Sequence, residues 1–498
     1  MMSAARSCSR RAALVAVLAS ALQHFKPSEP FLLPYLVRSL GVSEDEIGAR
    51  VFPVYSYAAF GAMLALPAAD AAARAAGAGY KSLLVVCAAS RLGTRALLIF
   101  GASDVRLMQI MQVMYGISEA TNVVTLCYLY RVLPVRAFAD ATAATGAAGA
   151  VSYVIAAELG QLMIGGGRSD NNESGGKADA THYLPLFWVS FAAVAAGLVL
   201  TLLLPGDAER SAAEDVALAG TPLGEQRVPA GTMVDAGQVR AGCDSQHGVR
   251  PPLPARLRAL YSPTRVRLLS LWWALALAVL GVAENFSTNM LCAVDAGTCE
   301  TQSGHLTAVA RIGTAVCSLA AARLAVPRLE KSTSAIVAVL LGGLFAMGSL
   351  LLASGAANGV LEFACAYVGT LGVSHALQTC VFSLSAVAAS GVGDYIALFS
   401  INTAAALGVG AALTAVLEGS LALSARGLYS ALGACCVVLA VGTAVPAAWW
   451  GRRRRSQGFV ALDEVECGGI ESGATEDPAD EAAASELMSA HGSLAESP

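Results

Sequence analysis

The sequence predicts an all-α membrane protein of twelve spanning helices in two six-helix bundles, and three observations predict it. Only 14% of the 498 residues are charged and 56% are apolar, with a mean hydropathy of +0.60. A soluble chain of this length carries about a quarter charged residues, so lipid has to cover part of this surface. Runs of about 20 apolar residues, enough to cross about 30 Å of hydrocarbon, recur six times, then six times more after a polar stretch. Lysine and arginine gather on alternate connecting segments, the asymmetry that orients membrane helices. The 49 glycines fit as well, because small residues let membrane helices approach closely.

In order, the runs cover 12–36, 48–69, 80–101, 106–133, 138–165 and 184–204, then 266–292, 303–325, 333–354, 360–389, 394–420 and 427–450. The first is not a cleavable signal peptide, because no A-x-A-like site follows and it ends in a dense polar motif. The chain thus divides into a cytosolic N-terminus (1–11), a first bundle (12–204), a cytosolic central loop (205–265), a second bundle (266–450) and a cytosolic acidic tail (451–498). Loop and tail are rich in Gly, Pro, Ser and acids, so both read as disordered.

With both termini cytosolic, 22 of the 32 Lys+Arg fall in or beside the inner segments, against six in the outer loops. The inner set includes Arg6, Arg10, Arg11 and the run Arg452 to Arg455 that closes the last helix. One extra span would invert every later loop and destroy the bias, so twelve is favoured over eleven. The sequon Asn172-Glu173-Ser174 falls in the outer loop after the fifth run, where a glycan can be attached. A second sequon, Asn285-Phe286-Ser287, lies within a span and is expected to stay unmodified.

Several function classes are excluded or weakened. The net charge of -4 does not suggest a nucleic-acid partner. The 12 cysteines form no CxxC, which argues against a metal or redox site. Cys292 and Cys299 could bridge if their loop faces outside. GxxxxGK[ST] is absent, so ATP does not drive the protein directly. No nucleophile, dyad or metal-ligand cluster points to an enzyme, and no cofactor is implied. A membrane receptor or sensor would call for a large ordered intracellular domain, and the inner segments read as flexible.

The polar motifs carry more. Lys26-Pro27-Ser28-Glu29-Pro30-Phe31-Leu32-Leu33-Pro34-Tyr35-Leu36 ends the first run. Phe52-Pro53-Val54-Tyr55-Ser56-Tyr57 opens the second, and Tyr80-Lys81 the third. Met114-Tyr115-Gly116 and Tyr128-Leu129-Tyr130 lie in the fourth, and Leu159-Gly160-Gln161-Leu162 closes the fifth. Leu271-Trp272-Trp273-Ala274, Ile401-Asn402-Thr403 and Arg426-Gly427-Leu428 follow in order. In this order the motifs resemble the reduced folate carrier family, the folate and thiamine transporters of the major facilitator fold, over about residues 12–450. One departure is that the family has Trp where this chain has Tyr55.

That resemblance implies two bundles rocking about a midplane site lined by helices 1, 4, 7 and 10, the logic of secondary transport in general. Secondary active transport of a small vitamin-like heterocycle, with the plasma membrane as the default location for a scavenging carrier, is the expectation. A proton or an exchanged anion is the candidate coupling species, and membrane lipid is the other partner. A carrier of another organic solute is a further alternative.

Ionisable groups within a span are costly and face a cavity or each other, so each is a site candidate with a structural alternative. Lys26 and Glu29, three apart beside Pro27 and Pro30, are either an ion pair that sets a bend or a gating and coupling pair. Tyr115, Glu119, Asn122 and Thr125 share one face of the fourth helix. Thiamine-carrying relatives hold the substrate's aminopyrimidine with a Glu on this helix. Alignment puts Asn122 at that position, with Glu119 one turn earlier as a displaced carboxylate or a group neutralised by a neighbouring arginine. Phe52 and Tyr55 match positions that stack on the heterocycle in relatives, although aromatics in membrane helices more often pack or anchor. Tyr153 and Asn285 match substrate-contacting positions too. Glu284 has no family counterpart. Arg311 either balances Glu284 or binds an anion. Arg91 and Arg95 depart from the family, and structural pairing is the expectation for them. His375, sharing a face with Gln378, is either a proton relay or an interhelical hydrogen-bond partner.

Family folate carriers use an Arg on helix 5, a basic residue on helix 10 and a Lys on helix 11 for the folate carboxylates. The matching positions here are Gly146, the Thr370–Leu371 neighbourhood and Gly410. A dianion without those cations would be desolvated without compensation. On charge alone, a flat cation such as thiamine is favoured over folate.

Overall fold

The computed structural model describes residues 2–32, 35–43, 46–101, 104–165, 183–206 and 252–456. Among the described residues there is no strand, and helices follow one another with short connections. Residues Met1–Gly442 form one compact unit, and Thr443–Pro498 a second, whose described part is helical to Ser456.

The first six long helices are α1 (Met2–His24), α2 (Phe52–Ala75), α3 (Gly79–Phe100), α4 (Val105–Val132), α5 (Phe138–Gly165) and α6 (Leu184–Leu202). After a short helix α7 (Leu253–Leu260) come α8 (Thr264–Asn285), α9 (Ser287–Val294), α10 (Ala296–Ala320), α11 (Val326–Leu329), α12 (Thr333–Ala356), α13 (Val360–Ala388), α14 (Tyr395–Thr414) and α15 (Ala425–Ser456). Ten of the described helices are long and apolar enough to cross a membrane. Two long helices, α1 and α4, fall short of that measure. Arg6, Arg10 and Arg11 dilute the start of α1, and Gln109, Gln112, Glu119 and Asn122 lie along α4.

Two runs and the central loop differ in detail from their sequence reading. The first stops being an α-helix at His24 and continues as short helical turns at Glu29–Phe31 and Tyr35–Ser39. Pro27 and Pro30 lack the N–H groups that would continue it. The seventh run is split at Phe286 into α8 and α9. The central loop, read as flexible throughout, ends in the ordered helix α7. There Leu253, Leu257 and Leu260 pack onto the core while Arg256 pairs with Asp394 at the start of α14. The three apolar positions lie on one helical face, a pattern obscured by the polar composition around it.

Within the first group, α3 packs on α4 and α6, α1 on α5 and α6, and α2 on α4; in the second, α13 receives α10 and α12, and α14 packs on α8. Small residues set the approach. A Cβ at Gly116 of α4 would lie 2.6 Å from the Ala58 Cβ of α2, so only glycine allows that crossing. The two groups meet where α5 packs on α10 and α2 on α14. At one end of this seam Tyr130 and Phe138 pack against Tyr395 with ring centroids 5.7 and 5.9 Å away, and Tyr130 lies 5.6 Å from Phe399. Ser383 Oγ donates to Thr142 Oγ1 across the same seam at 3.3 Å.

Candidate functional site

The site grows out of the break in α1. A helix ends with unpaired carbonyls, and here the carbonyls of Ser20 to Gln23 each find a donor from a different source. His24 Nδ1–H donates to Ser20 O at 2.7 Å, and Ser152 Oγ of α5 donates to Ala21 O at 2.6 Å. Phe25 N–H reaches Leu22 O at 3.2 Å, and the Arg91 guanidinium of α3 reaches Gln23 O at 3.2 Å. Past the break, Ser28 N–H donates to Ser190 Oγ of α6 at 3.2 Å. Non-helical backbone at membrane depth is tolerated only with such partners. The carbonyl of Pro27 also lies against Gly160 of α5, where a Cβ would come within 2.7 Å.

The same break delivers Lys26 and Glu29 to the centre. Glu29 Oε1 accepts from the Tyr115 hydroxyl at 2.7 Å and lies 3.5 Å from Lys26 Nζ, while Oε2 accepts from Arg95 at 2.7 Å. Lys26 Nζ donates to Tyr115 Oη at 3.0 Å and sits 4.9 Å from that ring's centroid. The Tyr55 ring lies 5.1 Å from the Tyr115 ring with the two planes inclined by 32°, forming an aromatic wall beside the ion cluster. One turn on, Glu119 pairs with Arg91 at 3.2 Å, and Arg91 also donates to Ser118 O and Ser118 Oγ. Arg91 and Arg95 are almost wholly buried, whereas Glu29 and Glu119 each keep 25% of the side chain exposed. The arginines therefore brace the carboxylates from behind. Together these side chains bring three cations to two carboxylates.

The second group contributes Arg311 of α10 and Glu284 of α8, 3.1 Å apart. The Arg311 guanidinium lies 5.6 Å from the centroid of the Tyr153 ring on α5, so this contact crosses between the groups. Tyr153 lies within electrostatic reach of Glu29, Arg311 and Glu284, and His24 within reach of Arg91, Lys26 and Arg311, which joins both clusters around one centre.

Lys26, Glu29, Tyr55, Tyr115, Glu119, Tyr153, Glu284 and Arg311 are therefore brought together. Asn122 and Asn285 are exposed, and neither side chain has a hydrogen-bond partner among the described residues. Asn122 continues the Tyr115–Glu119 face. Phe52, 37% exposed, has no ring partner among the described residues. On α13, His375 Nδ1 is buried without a partner, while the His375 carbonyl accepts from Ser318 Oγ of α10 at 3.4 Å. Cys292 is disulfide-bonded, whereas the Cys299 side chain and Asn172 lie outside the described residues. His24 is absent from the sequence candidates, because a histidine at the end of an apolar run carries no pattern of its own. Among the described residues no group of three or more His, Cys, Asp and Glu could hold a metal.

Comparison with known proteins bears on what such a centre does. The reduced folate carrier family model matches residues 10–429. Folate transporter 1 of Caenorhabditis elegans is 28% identical over 197 residues, 39% of this chain and 40% of that protein. Human thiamine transporter 2 is 24% identical over 290 residues, 52% of this chain and 54% of its own length. The chain thus aligns with about half or less of these relatives. The crystal structure of the human organic anion transporter MFSD10 (TETRAN) covers 87% of this chain and 99% of its own at a TM-score of 0.59 and 16% identity, a likeness of fold.

Proposed function

The chain belongs to the reduced folate carrier family, and from its site we propose that this multi-pass membrane protein moves a flat vitamin-like heterocycle across the bilayer. In this reading α1 and α4 cross as well, giving twelve spans in two six-helix bundles. These rock about the centre, with both termini cytosolic and the plasma membrane as location. The observation that carries it is the Tyr55–Tyr115 wall beside the part-exposed carboxylates of Glu29 and Glu119. A planar ring can stack on the wall while its polar edge meets the carboxylates, Asn122 and Asn285. Ionisable groups gathered inside spans and left partly exposed suit a solute path better than a packing role.

Charge orders the two family substrates. Thiamine, favoured on sequence, needs an uncompensated carboxylate, and both carboxylates of the first group support guanidinium or ammonium partners instead. The excess of one cation there favours a heterocycle with an anionic group, so a reduced folate is the first substrate in this proposal and thiamine the second. Thiamine retains support from Asn122, exposed beside Glu119. Uptake of radiolabelled 5-methyltetrahydrofolate and of thiamine into cells lacking their own carriers tests the order. Folate uptake above the empty-vector level supports it. Thiamine uptake alone reverses the order, and uptake of neither removes both substrates.

A further inference from the structure

One ion pair in the centre differs from the others. Arg91 and Arg95 are 2% exposed or less, Arg91 with further hydrogen bonds into α1 and α4 and Arg95 with one to Ser28 beyond the break, so neither can turn toward a solute without stranding a buried charge. Arg311 and Glu284 are each 27% exposed, and each is the other's ion-pair partner. Their hold is unequal. Arg311 also rests on the Tyr153 ring, while Glu284 Oε1 meets no donor at hydrogen-bonding geometry although it lies 3.1 Å from Arg311. Around Glu284 stand Tyr153 of α5, Tyr367 and His375 of α13 and Tyr429 of α15. Among the described residues Arg311 is the one lysine or arginine in ion-pair range of Glu284.

We propose that the Glu284–Arg311 pair sets the charge class of the solute, with Glu284 acting as an internal carboxylate that a solute's carboxylate displaces from Arg311. The inference rests on the transport reading of the centre. An incoming carboxylate replaces like with like on Arg311, so the guanidinium is never left uncompensated, while a cationic group would have to displace Arg311 from both Glu284 and Tyr153. The loosely held member, Glu284, is the one that moves aside. Arg311 then supplies on α10 the cation that Gly146 and Gly410 do not.

The test is uptake kinetics in liposomes containing the full chain, with 5-methyltetrahydrofolate and thiamine as probes, for wild type, Glu284→Gln, Arg311→Gln and the double variant. Glu284→Gln is expected to lower KM for the folate about tenfold, and Arg311→Gln to raise it about tenfold while lowering KM for thiamine, the scale of one charge-assisted hydrogen bond. The double variant is expected to fall between. Opposite shifts for the two probes are not produced by a structural role, which would lower kcat for both. Single variants that move both probes the same way, or neither, overturn the proposal. A wild type that carries neither probe removes the substrate reading alone. The pair is then read from the unfolding temperature of the purified variants with benzoate or benzylammonium. Stabilisation of Glu284→Gln by benzoate and of Arg311→Gln by benzylammonium supports the proposal, and charge-blind shifts overturn it.

Discussion

Arg95, nearly wholly buried on α3, places Nη2 2.7 Å from Oε2 of Glu29, which lies beyond the proline break in α1. The two residues are 66 positions apart in sequence. This contact fixes the direction in which the broken segment leaves α1, and it holds the Glu29 carboxylate against Tyr115 and Lys26 at the centre.

Removing one partner of such a buried pair is expected to cost about 3 kcal/mol, because the other charge stays desolvated. Arg95→Leu should therefore lower the unfolding temperature of the purified protein, and the double variant Arg95→Leu/Glu29→Gln should lose less than the sum of the two single losses. Thermal unfolding of the four proteins in detergent measures the coupling. Strict additivity would show that the two side chains do not interact.

The helical fold and most helix positions are legible in the sequence, because hydropathy and charge asymmetry are properties of single segments. The break in α1 is legible too, from Pro27 and Pro30. The partners of the ionisable residues are less so. Arg91 and Arg95 stand four apart on α3, and structural pairing follows from their cost in a membrane, but which carboxylate each meets depends on how α3 packs against α1 and α4. The Arg311–Tyr153 contact is illegible for the same reason, since it joins residues more than 100 positions apart. Charge read from residues singly favours a cation in the centre, and it carries no information on which of those residues pair with one another.

The close crossing of α2 and α4 gives a second expectation. Gly116→Val puts branched carbon where Ala58 and Ala59 already lie, and overpacking of this kind costs about 1–3 kcal/mol. The amount of monodisperse protein recovered after extraction should fall, with Gly116→Ala intermediate. Equal recovery of all three would mean that the helices can part there without penalty.

The seam that carries Tyr130 and Tyr395 is closed in this structure, and the alternating access proposed above requires it to open. Thr142 and Ser383 meet across it, their hydroxyls 3.3 Å apart. A Thr142→Cys/Ser383→Cys variant should crosslink under mild oxidation and lose uptake, and reductant should restore it. Full uptake by the crosslinked protein would mean that this seam need not separate.

The topology is open to a glycan test. In a glycosylating host, Asn172→Gln should abolish the mobility shift that glycosidase treatment removes from the wild type. A shift that persists in the variant would contradict an outer location for the segment after α5.

The measurement to make on the centre itself is uptake of radiolabelled 5-methyltetrahydrofolate by the purified chain in liposomes, wild type beside Glu29→Gln. Glutamine keeps the shape and one acceptor oxygen, which can stay on Arg95 while its NH2 turns to the Tyr115 oxygen, so the variant should insert normally while its KM rises about tenfold, the loss of one charge-assisted contact. Saturable uptake in the wild type that weakens in the variant is the expected result. A variant with unchanged KM and kcat would contradict a solute path through the break in α1.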